Sequence, residues 1–200
     1  MMVAVADYGA GNLRSLCAAL VRAGGEPVVT TDAAEVRAAP LAVIAGVGHV
    51  ASAAAGLSRT GIDEVLRERA SAGMPTLGIC VGMQLLFEAS DEGGSGVGLL
   101  AGPVTRLRAE RVPHMGWNSL VLRQPSRLLD GLDDEDVYFA HSYAARPTDP
   151  RVVTAEVEHG GPVVAAVEAG PVAGVQFHPE RSGTAGASFL ANALAWSRSA

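Results

Sequence analysis

The chain has 200 residues, 48% of them apolar and 18% charged, with a formal net charge of −6 at pH 7. That length and composition carry a sizeable core and exclude a disordered chain, and the negative charge argues against non-specific nucleic-acid binding. Two cysteines, Cys17 and Cys80, make no disulfide framework and point to a reducing, cytoplasmic setting.

The opening Met1-Met2-Val3-Ala4-Val5-Ala6-Asp7 has no positive leader and meets a charge at once. It reads as a strand, not a signal peptide. Asp7 to Asn12 forms a turn. Leu13, Leu16, Cys17, Leu20 and Val21 then recur at helical spacing until Gly24-Gly25. Glu26–Thr30 reads as a second strand and Leu41–Ala45 as a third, followed by a Gly46-Val47-Gly48 loop. The uncharged run from Ala38 to Ser58 is long enough to span a bilayer. Pro40, His49, Ser52 and its glycines favour a buried strand plus a glycine-rich loop instead. Gly61–Ala72 carries Ile62, Val65 and Leu66 on one helical face. Pro75–Ile79 is the central buried strand, and Met83–Phe87 reads as the first turns of a helix. Strand and helix thus alternate over the first ninety or so residues, the pattern of a doubly wound parallel sheet.

Beyond a glycine-rich loop at Asp91–Gly98 come short valine-rich runs: Val104–Leu107, Ser119–Leu122, Val137–Ala140, Val152–Val157, Val163–Val167 and Val172–Phe177. They read as antiparallel and mixed strands added to the same sheet. A last helix runs from about Gly183 to Trp196. No repeat or linker divides the chain, so a single domain over residues 1–200 is expected.

Cys80 lies between Gly78 and Gly82, where strand turns into helix. A nucleophile on so sharp a turn needs small neighbours, and the helix N-terminus offers unpaired N–H groups to a thiolate or an oxyanion. A buried structural cysteine is the alternative. Among five histidines, His178 stands out at the end of an apolar strand in Gln176-Phe177-His178-Pro179-Glu180. Extended backbone, favoured by Pro179, turns His178 and Glu180 the same way. A carboxylate on one ring nitrogen fixes the tautomer and leaves the other nitrogen for the thiol. Cys80 and His178 both fall at C-terminal strand ends, the edge where open α/β sheets place their sites. A Cys80–His178–Glu180 triad is expected. Its oxyanion donors are Val81 N–H and the Gly46, Val47, Gly48 loop.

Gly78-Ile79-Cys80-Val81-Gly82-Met83-Gln84 and Gln176-Phe177-His178-Pro179-Glu180 together resemble the class I, triad-type glutamine amidotransferases. Val112–Asn118, Tyr138–Tyr143, Asp7–Ser15 and Glu180–Gly183 are similar to the glutaminase subunits of imidazole glycerol phosphate synthase, a histidine-biosynthesis enzyme. The resemblance runs the length of the chain. It implies an α/β, three-layer flavodoxin-like fold: a mixed, mostly parallel central sheet with helices on both faces. It implies that Gln84, His141, Ser142 and Tyr143 hold L-glutamine. Asn12, Trp117, Asn118, Tyr138 and Arg181 are expected to face a (β/α)8 cyclase subunit in a heterodimer. Ammonia would pass to that partner for synthesis of imidazole glycerol phosphate and an aminoimidazole carboxamide ribotide. No metal, cofactor, nucleic acid or membrane is expected to take part. A glutaminase serving another synthase and a silent regulatory paralogue are the other readings. The chain departs from the family pattern at Ala45, where proline is usual, at His49-Val50 after the second loop glycine, and at Arg181, where lysine is usual.

Overall fold

A computed structural model describes residues 1–9, 11 and 13–198. Asn12, expected at a partner interface, lies outside the described residues. In chain order the elements are β1 (Met2–Ala6), α1 (Leu13–Arg22), β2 (Glu26–Thr30), α2 (Ala33–Ala38), β3 (Leu41–Gly46), α3 (Val50–Thr60), α4 (Ile62–Ser71) and β4 (Thr76–Cys80). A single turn, α5 (Val81–Gln84), is followed by β5 (Ala89–Ser90), β6 (Pro103–Arg106), β7 (His114–Ser119), β8 (Val121–Leu122), β9 (Asp136–His141) and β10 (Tyr143–Ala145). β11 (Val153–Glu158), β12 (Pro162–Ala169), β13 (Val172–Val175) and α6 (Gly183–Trp196) complete the fold.

The main sheet has eight strands in the order β2-β1-β3-β4-β13-β12-β11-β8. The five strands from β2 to β13 are parallel, and β12, β11 and β8 add antiparallel. β3, β4 and β13 are buried along their whole length, as expected of parallel strands covered on both faces. α1 packs with α6, and α2 and α3 pack with α4. Right-handed crossovers put these two groups on opposite faces, giving three layers. The order 2-1-3-4 reverses direction between β1 and β3, and the crevice beside that reversal is where such sheets hold ligands.

Two expectations need correcting. The later strands do not all join one sheet. β10, β6 and β5 form a three-stranded sheet, and β7 pairs antiparallel with β9 as a separate ribbon. The expected helix from Met83 also stops at Gln84, because Leu85–Phe87 turn away and their carbonyls bond the 97–99 segment instead. Helices α2 and α3 and strand β7 were not expected. A row of edge-on rings, Phe139–Phe177–Phe189, ties β9 to the end of β13 and to α6. Burying each ring is worth about 2–3 kcal/mol, which fixes the ribbon against the site.

No helix among the described residues is long and apolar enough to cross a membrane.

Candidate active site

Three neighbouring strand ends build the site. In the parallel register Gly46 at the end of β3 lies opposite Cys80 at the end of β4. Val175 lies opposite Ile79, so the residues just past β13 arrive beside Cys80 as well. Cys80 itself takes φ 53°, ψ −112°, a strained conformation outside the ordinary regions. Its glycine neighbours are obligatory for space rather than freedom. A Cβ on Gly82 would stand 1.7 Å from the Ile44 carbonyl oxygen, and one on Gly78 would stand 2.6 Å from that of Gly82. The turn thus folds the helix start back over β4 and seats it against β3.

Cys80 is buried at 2% exposure and His178 at 6%. His178 Nδ1 lies 2.9 Å from Glu180 Oε1, and Cys80 is close enough to act on the imidazole electrostatically. Burial disfavours its charged form, but Cys80 and Glu180 outweigh burial and push the pKa up to about 10. At neutral pH His178 is therefore an imidazolium between a sulfur and a carboxylate. Gln176 adds a donor: its Nε2 points at Cys80 Sγ from 3.6 Å. Gln176 Oε1 in turn accepts from Gln84 Nε2 at 3.0 Å, and Gln84 Nε2 also donates to the Tyr143 carbonyl at 2.9 Å.

Cys80 and Val81 open on a cavity of about 370 Å³. Gln84, His141, Ser142 and Tyr143 line it, and so do Val47 and Gly48 of the glycine loop. Glu92 and Arg106, which the sequence did not single out, bring one negative and one positive side chain to the same wall. Those opposite charges suit a zwitterionic amino acid whose side-chain amide reaches the sulfur. Gly46 lies on the other side of the loop. With His178 and Glu180 it borders a cavity of about 30 Å³, the size of one small molecule.

The loop is pinned at both ends. The Tyr8 hydroxyl donates to the Ala45 carbonyl at 2.9 Å, occupying the space a Cβ on Gly46 would need. Burial first, and the charges at Cys80 and Asp7 second, raise the Tyr8 pKa far above its ordinary value, so it stays a phenol. At the far end Glu92 Oε2 accepts from Val50 N–H at 2.7 Å, and its Oε1 pairs with His49 Nδ1 at 2.9 Å. Between the pins Val47 is half exposed and Gly48 takes φ +95°.

The remaining expected residues fall on the β7–β9 ribbon and the turn after His178. Trp117 is 57% exposed and meets Tyr138 edge-on at 6.0 Å, and the Arg181 guanidinium lies 4.4 Å from the Tyr138 ring centre. Asn118 is half-buried and turns its amide inward, to His114 and to the Glu158 carbonyl. Among the described residues, no group of three or more His, Cys, Asp or Glu side chains is placed to hold a metal ion.

A buried cysteine sulfur, a poised imidazolium and candidate backbone donors suit acyl transfer through a thioester. Comparison with known proteins narrows the class. A family model described as glutamine amidotransferase class-I matches residues 4–196. "Imidazole glycerol phosphate synthase subunit HisH" of Mycolicibacterium paratuberculosis is 48% identical over 196 residues, covering 95% of each chain. The protein of the same name from Oceanobacillus iheyensis is 43% identical, covering 94% of this chain and 96% of its own. Among solved structures, PurLQS from Thermotoga maritima superposes with a TM-score of 0.78 at 22% identity, covering 98% of each chain. One titled only as a glutamine amidotransferase gives 0.76 at 23% identity, covering 96% of this chain and 98% of that one. These two carry the fold, whereas the family model and the sequence relatives carry the lineage: the chain belongs to the class-I glutamine amidotransferases.

Proposed function

We infer that the chain is the glutaminase subunit of an imidazole glycerol phosphate synthase. The observation that carries this is the Cys80–His178–Glu180 series opening on an amino-acid-sized cavity, in a chain alike over nearly its whole length to proteins of that name.

The Cys80 thiolate attacks the side-chain amide carbon of L-glutamine. Val81 N–H and the Gly46–Gly48 loop stabilise the oxyanion. The His178 imidazolium gives its proton to the departing ammonia, and the neutral imidazole then takes one from water to hydrolyse the thioester. Glu180 orients the ring throughout. Gln84 has both amide hydrogens engaged, on Tyr143 and Gln176, so it offers glutamine its carbonyl as an acceptor. His141, Ser142 and Tyr143 complete that wall, with Glu92 toward the α-ammonium and Arg106 toward the α-carboxylate.

The partner in this reading is a (β/α)8 cyclase that receives the ammonia. The exposed Trp117, with Tyr138 edge-on to it and Arg181 over the Tyr138 ring, is the surface proposed to meet it, flanked by Asn118. An aromatic pair with an arginine over it is the kind of cluster that anchors interfaces. The test is to mix the chain with candidate synthases, each loaded with its acceptor substrate, and assay glutamine hydrolysis. Stimulation by the imidazole glycerol phosphate cyclase alone supports the reading, and stimulation by a different synthase instead overturns it.

A further inference from the structure

Beneath the cavity, five side chains and the Tyr143 carbonyl join the exposed ribbon to Cys80. Asn118 Nδ2 lies 3.1 Å from His114 Nε2 and 2.9 Å from the Glu158 carbonyl. His114 Nδ1 lies 3.0 Å from His141 Nε2. His141 Nδ1 lies 2.8 Å from the Tyr143 carbonyl, which also accepts from Gln84. The direction of every bond follows from the carbonyls. Tyr143 oxygen can only accept, so His141 carries its proton on Nδ1. Burial drives the pKa of His141 down to about 3 and that of His114 to about 4, with further lowering by neighbouring histidines, so both rings are neutral. Neutral His141 then has an acceptor at Nε2, and His114 must donate to it from Nδ1. His114 Nε2 is thereby an acceptor, met by one Asn118 hydrogen while the other goes to Glu158. Each ring nitrogen is matched once, with no slack.

We propose that His114 is a positioning residue for glutamine hydrolysis: the relay Asn118–His114–His141–Tyr143 carbonyl fixes the amide of Gln84, and through Gln84 that of Gln176 against the Cys80 sulfur. This rests on the glutaminase reading. His114 does not line the cavity; it is clamped face to face between Phe139 at 4.5 Å and His159 at 4.1 Å. Its strand also bears the exposed Met115, next to His114, and Trp117, next to Asn118, so a partner seated there touches neighbours of the relay's first two links.

Imidazole 15N spectra of the 15N-histidine-labelled chain give the first test. At pH 7 His114 and His141 should both be neutral with the proton on Nδ1, the less favoured tautomer of free histidine. A proton on Nε2, or a charged ring, overturns the relay. The second test is glutamine turnover in complex with the loaded cyclase. His114→Phe keeps a stacked ring but leaves His141 Nε2 without a donor. It should lower kcat/KM about 10- to 100-fold, with most of the loss in KM as the Gln84 amide is released. His114→Asn places an amide N–H near the former Nδ1 and should recover activity to within about threefold of wild type. Unaltered kinetics in a folded His114→Phe variant, or equal damage from Phe and Asn, overturns the assignment. A wild-type complex that hydrolyses no glutamine overturns the glutaminase reading itself, and the relay's role with it. If His114→Phe fails to fold, the tautomers in the wild-type chain still decide the relay.

Discussion

His178 is held in a state of charge that an isolated histidine would not adopt, and that state carries consequences in pH. Folding raises the His178 pKa from its ordinary 6.5 to about 10. Between those values the native state binds a proton that the unfolded chain lacks, so its contribution to stability is complete below pH 6.5 and is lost as pH rises through 10. His141 and His114 act in the opposite sense. Their folded values of about 3 and 4 lie below 6.5, so the unfolded chain binds more protons on acidification and stability falls as pH drops through 6.5 toward 4. Urea titrations across pH should therefore show greatest stability near pH 6.5. His178→Gln should flatten the alkaline limb and leave the acid limb; an alkaline limb that survives the substitution would remove the ion pair. The nucleophile itself is tested chemically. Cys80→Ala or Cys80→Ser should abolish hydrolysis with the fold intact, and an electrophilic glutamine analogue should label Cys80. Cys17 is half-buried on α1, where burial raises its thiol pKa, so a label mapped there by mass spectrometry would refute the assignment.

The grouping of Cys80, His178 and Glu180 was legible in sequence because each sits in a short local pattern: small–Ile–Cys–Val–small around Cys80, and His-Pro-Glu in extended backbone for the other two. Gln176, Tyr8, Glu92 and Arg106 were not singled out for a site role, for one shared reason. Their partners lie 96, 37 and 42 positions away for the first three, and only the sheet order brings them together. His114 is a middle case: its residue type was noticed, but its tautomer follows from a carbonyl that no spacing rule connects to it.

At the scale of elements, β1 to β4 and α6 follow from apolar runs and glycine stops, and the fit is close: Glu26–Thr30 and Gly183–Trp196 fall where the pattern places them. α3 escaped because its buried stripe, Val50, Ala53, Gly56 and Leu57, is made half of small residues that read as a loop. Gly56 also looks like a loop residue, yet it is there because a Cβ would come within 2.1 Å of the Tyr8 carbonyl oxygen. β7 escaped because Gly116 and Asn118 weaken a strand pattern, and strand pairing is not encoded in alternation at all. Arg69 on α4 ties several elements together. It is 1% exposed, and its guanidinium reaches the carbonyls of Val36, Arg37, Ala39 and Pro75 at 2.5–3.0 Å. Burial lowers its pKa to about 10, still charged at neutrality. Arg69→Leu would leave buried carbonyls unpaired at the end of α2 and the start of β4, and should cost about 2–4 kcal/mol by chemical denaturation with the site otherwise unaltered. Gly82→Ala is the complementary case. The overlap with Ile44 oxygen cannot be relieved without moving the α5 turn, so turnover should fall far more than the melting temperature. Equal loss of both would show that the turn is a folding element first.

For the whole molecule the question is why a free glutaminase would not waste glutamine, and the loop between β3 and α3 supplies an answer that can be measured. Tyr8 holds its first residue and Glu92 its last, so any change of state is confined to Val47 and its flanking glycines. A glycine-flanked peptide can rotate to present either a carbonyl or an N–H to the oxyanion, and one such donor is worth about 10² to 10³ in turnover. The small cavity bounded by Gly46, Val47, His178 and Glu180 borders this loop, and Met115 of the ribbon lines the main cavity together with Val47 and Gly48. A cyclase docked there, with its own site filled, would favour the N–H-inward state. The isolated chain should then hydrolyse glutamine slowly and be stimulated by at least about 10² in the loaded complex. Ala45 stands where the related glutaminases usually carry proline, and alanine leaves φ at the loop's base less restricted. Ala45→Pro keeps the carbonyl that Tyr8 bonds, so the inner pin survives while the hinge stiffens. Its basal rate should fall and its stimulated rate should stay close to wild type. Four rates decide it: each protein alone and each with loaded partner. Full activity in the free wild-type chain would remove the gate, and equal basal rates in the two proteins would remove the part given to Ala45.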